Sequence, residues 1–392
     1  MWLAAILCFG ILTLWVPARW ALSAFQVALF ALAAVRIVQK RRLEFSFVAW
    51  MLAAATAWGM LQVAAGWSVD RDTTRDAVLN WVTNLAAFSL AVSFYRDHDQ
   101  RERFLRAALI FSGILAVVSI FTFITSAPGK AFWIFETGAE SRTLGPFVYQ
   151  NQYAAFIEAI LPLAIVGVIR DRRRWLLHAL IVATLFGSVV TGGSRTGSIL
   201  CLAEILVIPM VAFGRGMIGG RVLARAVLGS LAAVIVLTGV VGWQFLWTRL
   251  QEPNPYSLRK DLVLSSVEMV RDRPLKGFGL GTWPEAYPGY ARFDDGRFVN
   301  QAHNDWIQWA AEGGLPFLGL MLAIAAWSVL PAVRSLWGIG ILSVWFHALV
   351  DYPMQQRPAL AAFFFALLGT LAASSRSSRE SASAGSRTAA DS

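Results

Sequence analysis

Ala107–Ala127 reads AALIFSGILAVVSIFTFITSA, a run without an ionisable side chain, and its reading decides the fold. At about 1.5 Å of rise per residue, a helix of this length crosses the roughly 30 Å hydrocarbon core of a bilayer. Comparable blocks lie on both sides of it. Before it come Trp2–Pro17, Trp20–Val38, Phe45–Gly66 and Ala77–Tyr95; after it come Tyr153–Ile169, Trp175–Thr191, Thr196–Phe213, Ala226–Leu246, Leu315–Leu330, Leu336–Val350 and Ala359–Ala373. Of 392 residues, 57% are hydrophobic and 15% charged, and the mean hydropathy is +0.57, far outside a soluble balance. The sequence predicts an all-α polytopic membrane protein with about twelve transmembrane helices.

The net charge of +10 does not point to nucleic acid, because the basic residues sit in short connections between apolar blocks. Lys40-Arg41-Arg42, the Arg96–Arg106 group, Arg170 with Arg172–Arg174, and Arg215 with Arg221 and Arg225 occupy alternate connections, which belong in the cytoplasm. Both termini are then expected inside, with residues 374–392 as a solvated, disordered tail. The first block lacks the basic flank of a signal peptide and is read as a retained span. Cys8 and Cys201 fall within apolar blocks, as small buried hydrophobes do. The intervening connections face outward, and one of them, residues 247–312, is too long for a simple link. It begins at Pro253-Asn254-Pro255, which stops the ninth span, and reads helical from Ser257 to Val270. Gly277-Phe278-Gly279-Leu280-Gly281 is a turn-forming run that falls short of a dinucleotide-binding fingerprint. Asn304 or Asp305 is placed to cap a short helix that ends at Glu312-Gly313-Gly314.

The polar residues of this outer face are the candidates for chemistry. Arg195, in the tight Gly192–Gly197 turn between two spans, is costly at that depth without an anionic partner. A phosphate ligand, a lipid headgroup or a structural ion pair would supply one, and a guanidinium suits phosphate. Arg259 stands in a charge cluster with Lys260 and Asp261, a pattern that is also that of a solvated face. Arg142 precedes Asn151 and the start of a span. His303, beside Asn304 and Asp305, is either a structural hydrogen-bonder or a base that works near neutral pH. Glu158 and Glu204 lie within spans, where proton relay and interhelical hydrogen bonding both apply. His347 and Asp351 are about one turn apart, and two ligands do not make a metal site. The seventeen tryptophans fit interfacial anchoring.

These motifs together resemble the O-antigen ligase and polymerase family of bacterial inner-membrane glycosyltransferases. The resemblance is carried by Arg259 with Asp272-Arg273-Pro274-Leu275-Lys276-Gly277-Phe278-Gly279-Leu280-Gly281, then Ala302-His303-Asn304-Asp305 and Glu312-Gly313-Gly314. Arg142–Phe147 with Asn151, Ser194–Gly197, and the His347–Asp351 pair support it. It implies a glycan donor linked through diphosphate to undecaprenol, and transfer on the periplasmic side without a cofactor, nucleotide sugar or required metal. Arg195 and Arg259 then match residues expected to hold the diphosphate, and His303 the residue expected to activate the acceptor hydroxyl. Arg142, Asn304, Asp305 and Glu312 complete the expected substrate-binding set. The acceptor would be lipid A core for a ligase, or a growing glycan for a polymerase, with membrane lipids around it. A polysaccharide or lipid transporter is the competing class. The lack of an internal repeat and the polar outer segment weigh against it.

Overall fold

A computed structural model describes residues 1–40, 46–251, 257–292, 296 and 298–390, with side chains at all of these except 40, 241, 257 and 376–390. In chain order the first nine helices are α1 (Trp2–Leu12), α2 (Arg19–Lys40), α3 (Phe47–Ala64), α4 (Arg71–Phe94), α5 (His98–Thr125), α6 (Gln150–Arg170), α7 (Trp175–Gly192), α8 (Arg195–Gly214) and α9 (Gly220–Val241). There follow α10 (Gln244–Leu250), α11 (Ser257–Asp272), α12 (Trp283–Ala286) with a 3-10 turn at Tyr287–Tyr290, α13 (Asp305–Ser335), α14 (Ile339–His347) and α15 (Pro358–Ala390). A two-residue hairpin, β1 (Lys130–Ala131) and β2 (Phe135–Glu136), folds between α5 and α6. The chain is an all-α polytopic membrane protein. Helices satisfy their own backbone groups, which is what a bilayer demands.

Among the described residues, ten helices are long and apolar enough to cross a membrane, rather than about twelve. The two that fall short are α1 and α14, of 11 and 9 residues. At 1.5 Å per residue they reach only about 17 and 14 Å, roughly half the hydrocarbon core. The apolar run at 2–17 includes a turn after Thr13 that leads to Pro17. The run at 336–350 spends its first residues on a turn, with Leu336 at φ +64°, and leaves helical geometry after Ala348. Hydropathy counts such residues as span because it does not register where the backbone turns. The ninth span is also displaced: α9 starts at Gly220 and breaks at Gly242, whose φ is +97°. Arg41, Arg42 and Pro253–Pro255 lie outside the described residues, as do the side chains of the tail beyond 375.

Helix α6 is the centre of the bundle. Nearly every side chain from Gln152 to Ile169 is buried, as an all-round apolar helix requires, and α5, α7, α8 and α14 pack around it. Glycines allow the close crossings: a Cβ on Gly340 of α14 would stand 2.3 Å from the Glu158 carbonyl oxygen of α6. The same contact carries a buried polar pair, with His347 Nδ1 2.7 Å from Glu158 Oε1. Among the described residues, Arg101, Arg170, Arg215, Arg225 and Arg334 gather at one end, where Arg215 donates to Val333 O at 2.7 Å and Arg225 to Val168 O at 3.2 Å. The other end carries the N-termini of α6, α8 and α13 and the segment between α14 and α15.

Candidate functional site

The segment from Ala348 to Arg357 joins the half-length α14 to α15 without regular structure, and the start of α13 holds it. Asn304 caps α13 by accepting from Ile307 N at 3.1 Å, and its amide donates to Leu349 O at 2.7 Å. The Asp305 N–H donates to Ala348 O at 2.9 Å and to Asp351 O at 3.2 Å. Its carboxylate accepts from Met354 N at 3.0 Å. Asn304 and Asp305 therefore position the segment that carries Asp351.

Asp351 is the hub, buried to 1% exposure. Its Oδ2 accepts from the Tyr149 hydroxyl at 3.0 Å, from Arg259 Nη2 at 3.0 Å, and from the Asn151 amide. Its Oδ1 accepts from Tyr352 N at 2.9 Å and stands 3.7 Å from His303 Nδ1, an ion-pair separation longer than a hydrogen bond. Arg259 also donates to Val350 O at 2.8 Å, so its guanidinium is fixed at two points. Residues from α6, α11, the approach to α13 and the α14–α15 segment thus meet on one carboxylate. Burial alone would raise the Asp351 carboxyl; the His303 ring and the Arg259 guanidinium more than reverse this and hold it at about 2. Burial and the Asp351 charge push the Tyr149 phenol well above its ordinary value, so it stays a donor.

His303 sits at φ +52°, a left-handed conformation unusual for histidine, immediately before the cap of α13. Its ring lies edge-on to Tyr352 at 4.8 Å, and Tyr352 stacks on Tyr149 at 5.2 Å. The network reaches the α7–α8 turn through Asn151, whose Oδ1 accepts from Ser194 Oγ at 2.8 Å. Ser194 caps α8 through Gly197 N, and Gly193 makes the turn at φ +71°. Arg195 is the next residue, and its Nη1 donates to Arg249 O at 2.8 Å.

Of the residues singled out from sequence, Arg259, His303, Asn304 and Asp305 come together around Asp351, and Arg195 lies one residue from the network. Arg142 lies apart, donating to Phe123 O at 2.8 Å and Ser126 O at 2.9 Å at the end of α5. Glu312 is turned to the glycine run: Oε2 accepts from Gly281 N at 2.9 Å and Oε1 from Gln308 Nε2 at 2.9 Å. Gly277 passes so close that a Cβ there would lie 2.2 Å from Glu312 O, and its φ is +63°. Gly277→Ala is accordingly expected to destabilise the protein by more than about 2 kcal/mol, read as a lower midpoint in thermal unfolding. An unshifted midpoint would mean that this turn is not packed as described. Asp351, Tyr149, Asn151 and Tyr352 join the site in the structure beyond the residues expected from sequence; for Asp351 the signal in the sequence is an acid at the flank of an apolar run.

The family model described as O-Antigen ligase matches residues 180–324, from α7 into α13, a stretch that includes Arg195, Arg259 and His303 and stops short of Asp351. No curated protein and no solved structure matches the chain. Over residues 180–324, in a chain with ten apolar helices long enough to cross a membrane among its described residues, the protein is similar to the O-antigen ligase family.

Proposed function

We propose that the protein moves a glycan from undecaprenyl diphosphate to an acceptor hydroxyl, lipid A core, at the periplasmic face. The observation that carries this reading is the meeting of Arg259 and His303 on the buried Asp351. A guanidinium has five donors in a planar fork, so Arg259 is suited to bridge Asp351 and a donor phosphate. Arg195, at the first turn of α8, adds a second cation together with the positive end of its helix. His303 takes the proton of the acceptor hydroxyl. Asp351 orients the ring and stabilises the imidazolium that forms, as the acid of a catalytic triad does.

The acceptor oxygen then bonds to the anomeric carbon as the bond to the diphosphate oxygen breaks. Undecaprenyl diphosphate leaves with the electron pair, and attack opposite the leaving group inverts the anomeric configuration. The reading needs no metal, since the guanidiniums meet the diphosphate charge. The positive-inside pattern of the opposite end supports the periplasmic assignment and both termini in the cytoplasm of the inner membrane.

The clamp assignment is tested by Arg195→Lys and Arg259→Lys, which keep charge and lose the fork. Transfer per folded protein is expected to fall by on the order of 10-fold or more in each, the loss of a charge-assisted hydrogen bond. Parental rates in both variants would remove the arginines from the diphosphate site.

A further inference from the structure

We infer that the end of the bundle opposite Asp351 holds a binding site for a phosphate-bearing group. A cavity of about 410 Å³ opens there, lined by His98, Arg101 and Glu102 at the start of α5, Arg170 at the end of α6, Arg334 at the end of α13, and Trp337. It is separated from Asp351 by the length of α6, which runs from Asn151 at one end to Arg170 at the other. The site is thus independent of the transfer chemistry.

Each arginine has a local role. Arg170 and Arg334 stand in the last turns of their helices, where a cation offsets the helix dipole. Arg101, buried, donates to Tyr95 O at 3.1 Å and Arg96 O at 3.4 Å. These roles account for a cation at each helix end and not for three guanidiniums from distant parts of the chain lining one cavity. Glu102 is the single carboxylate among the lining residues, so the cavity carries a net positive charge. Like charges along low-dielectric walls concentrate anions between them.

Phosphate is the anion that fits. Guanidinium forks match its oxygens, and basic pockets between helices at the cytoplasmic rim suit anionic headgroups. Trp337 beside the arginines is the kind of side chain that sits at headgroup depth. The same chemistry serves a phosphatidylglycerol headgroup and free inorganic phosphate.

The test uses the full chain in nanodiscs of phosphatidylcholine, with phosphatidylglycerol or inorganic phosphate added, and reads the thermal midpoint. The midpoint is expected to rise by several degrees with an occupant, and the rise to be lost in the Arg170→Gln/Arg334→Gln variant. A rise with phosphatidylglycerol alone assigns a lipid headgroup, and a rise with phosphate as well assigns a soluble anion. No rise with either, or an undiminished rise in the variant, overturns the inference. Both arginine side chains are exposed, which favours a folded variant. Should it fail to fold, Glu102→Gln is expected to enlarge the wild-type response, and an unchanged response would equally overturn the site.

Discussion

Replacing Asp351 with Asn is expected to lower glycan transfer by about four orders of magnitude while the protein remains folded, the scale seen when the acid that orients a catalytic histidine is neutralised. The substitution keeps the shape of the side chain and removes the charge that faces Arg259 and His303. Asp351→Ala is harsher, because it leaves the part-buried Tyr149 hydroxyl and the Arg259 guanidinium without their shared acceptor. Transfer must therefore be expressed per monodisperse protein. A parental rate for Asp351→Asn would reduce the carboxylate to a packing group.

The same carboxylate has a stability signature. Its pKa of about 2 in the folded state lies below the ordinary aspartate value of about 3.9. The stabilisation is thus complete above about pH 4 and is lost as pH falls through the folded-state value of about 2. Wild-type protein is expected to lose stability across that window, and Asp351→Asn to lose less.

The second large effect is at His303. Removing a general base typically lowers turnover by about 10²–10⁴-fold, and His303→Ala is expected to fall in that range with donor binding still measurable. His303→Asn is the control for the backbone, since Asn tolerates the left-handed conformation found there and offers no base. Both variants are expected to show a loss in that range. Turnover near the parental rate in His303→Asn would move the proton-accepting role elsewhere, Asp305 being the adjacent carboxylate.

Much of this architecture was legible in the sequence because hydrocarbon imposes a simple rule: uncharged runs of about twenty residues become spanning helices. The rule failed at α1 and α14, where turns consume part of an apolar run. That failure bears on the site, because the residues freed from α14 form the segment that carries Asp351. The local features near His303 were also legible. Asn304 caps α13, and Gly314, at φ +70°, breaks the helix where the Gly-Gly pair predicted. What sequence alone did not yield was which polar residues share a partner. Arg259, His303 and Asn151 are more than 40 residues from Asp351 along the chain, and their meeting depends on how helices cross. Glu312 shows the converse: its place beside the site helix read as substrate contact, while its carboxylate holds the backbone of the glycine run.

The central claim is covalent transfer from a lipid diphosphate, and reconstitution tests it most directly. Purified full-length protein would be incubated with an undecaprenyl-diphosphate glycan and either lipid A core or a second lipid-linked glycan, with product and released undecaprenyl diphosphate measured together. The account predicts one undecaprenyl diphosphate released per glycan joined, with inverted anomeric configuration and lipid A core as the acceptor. Joining only to the second lipid-linked glycan would make the protein a polymerase with the same site. Movement of the intact donor across the bilayer without any new glycosidic bond would contradict the account.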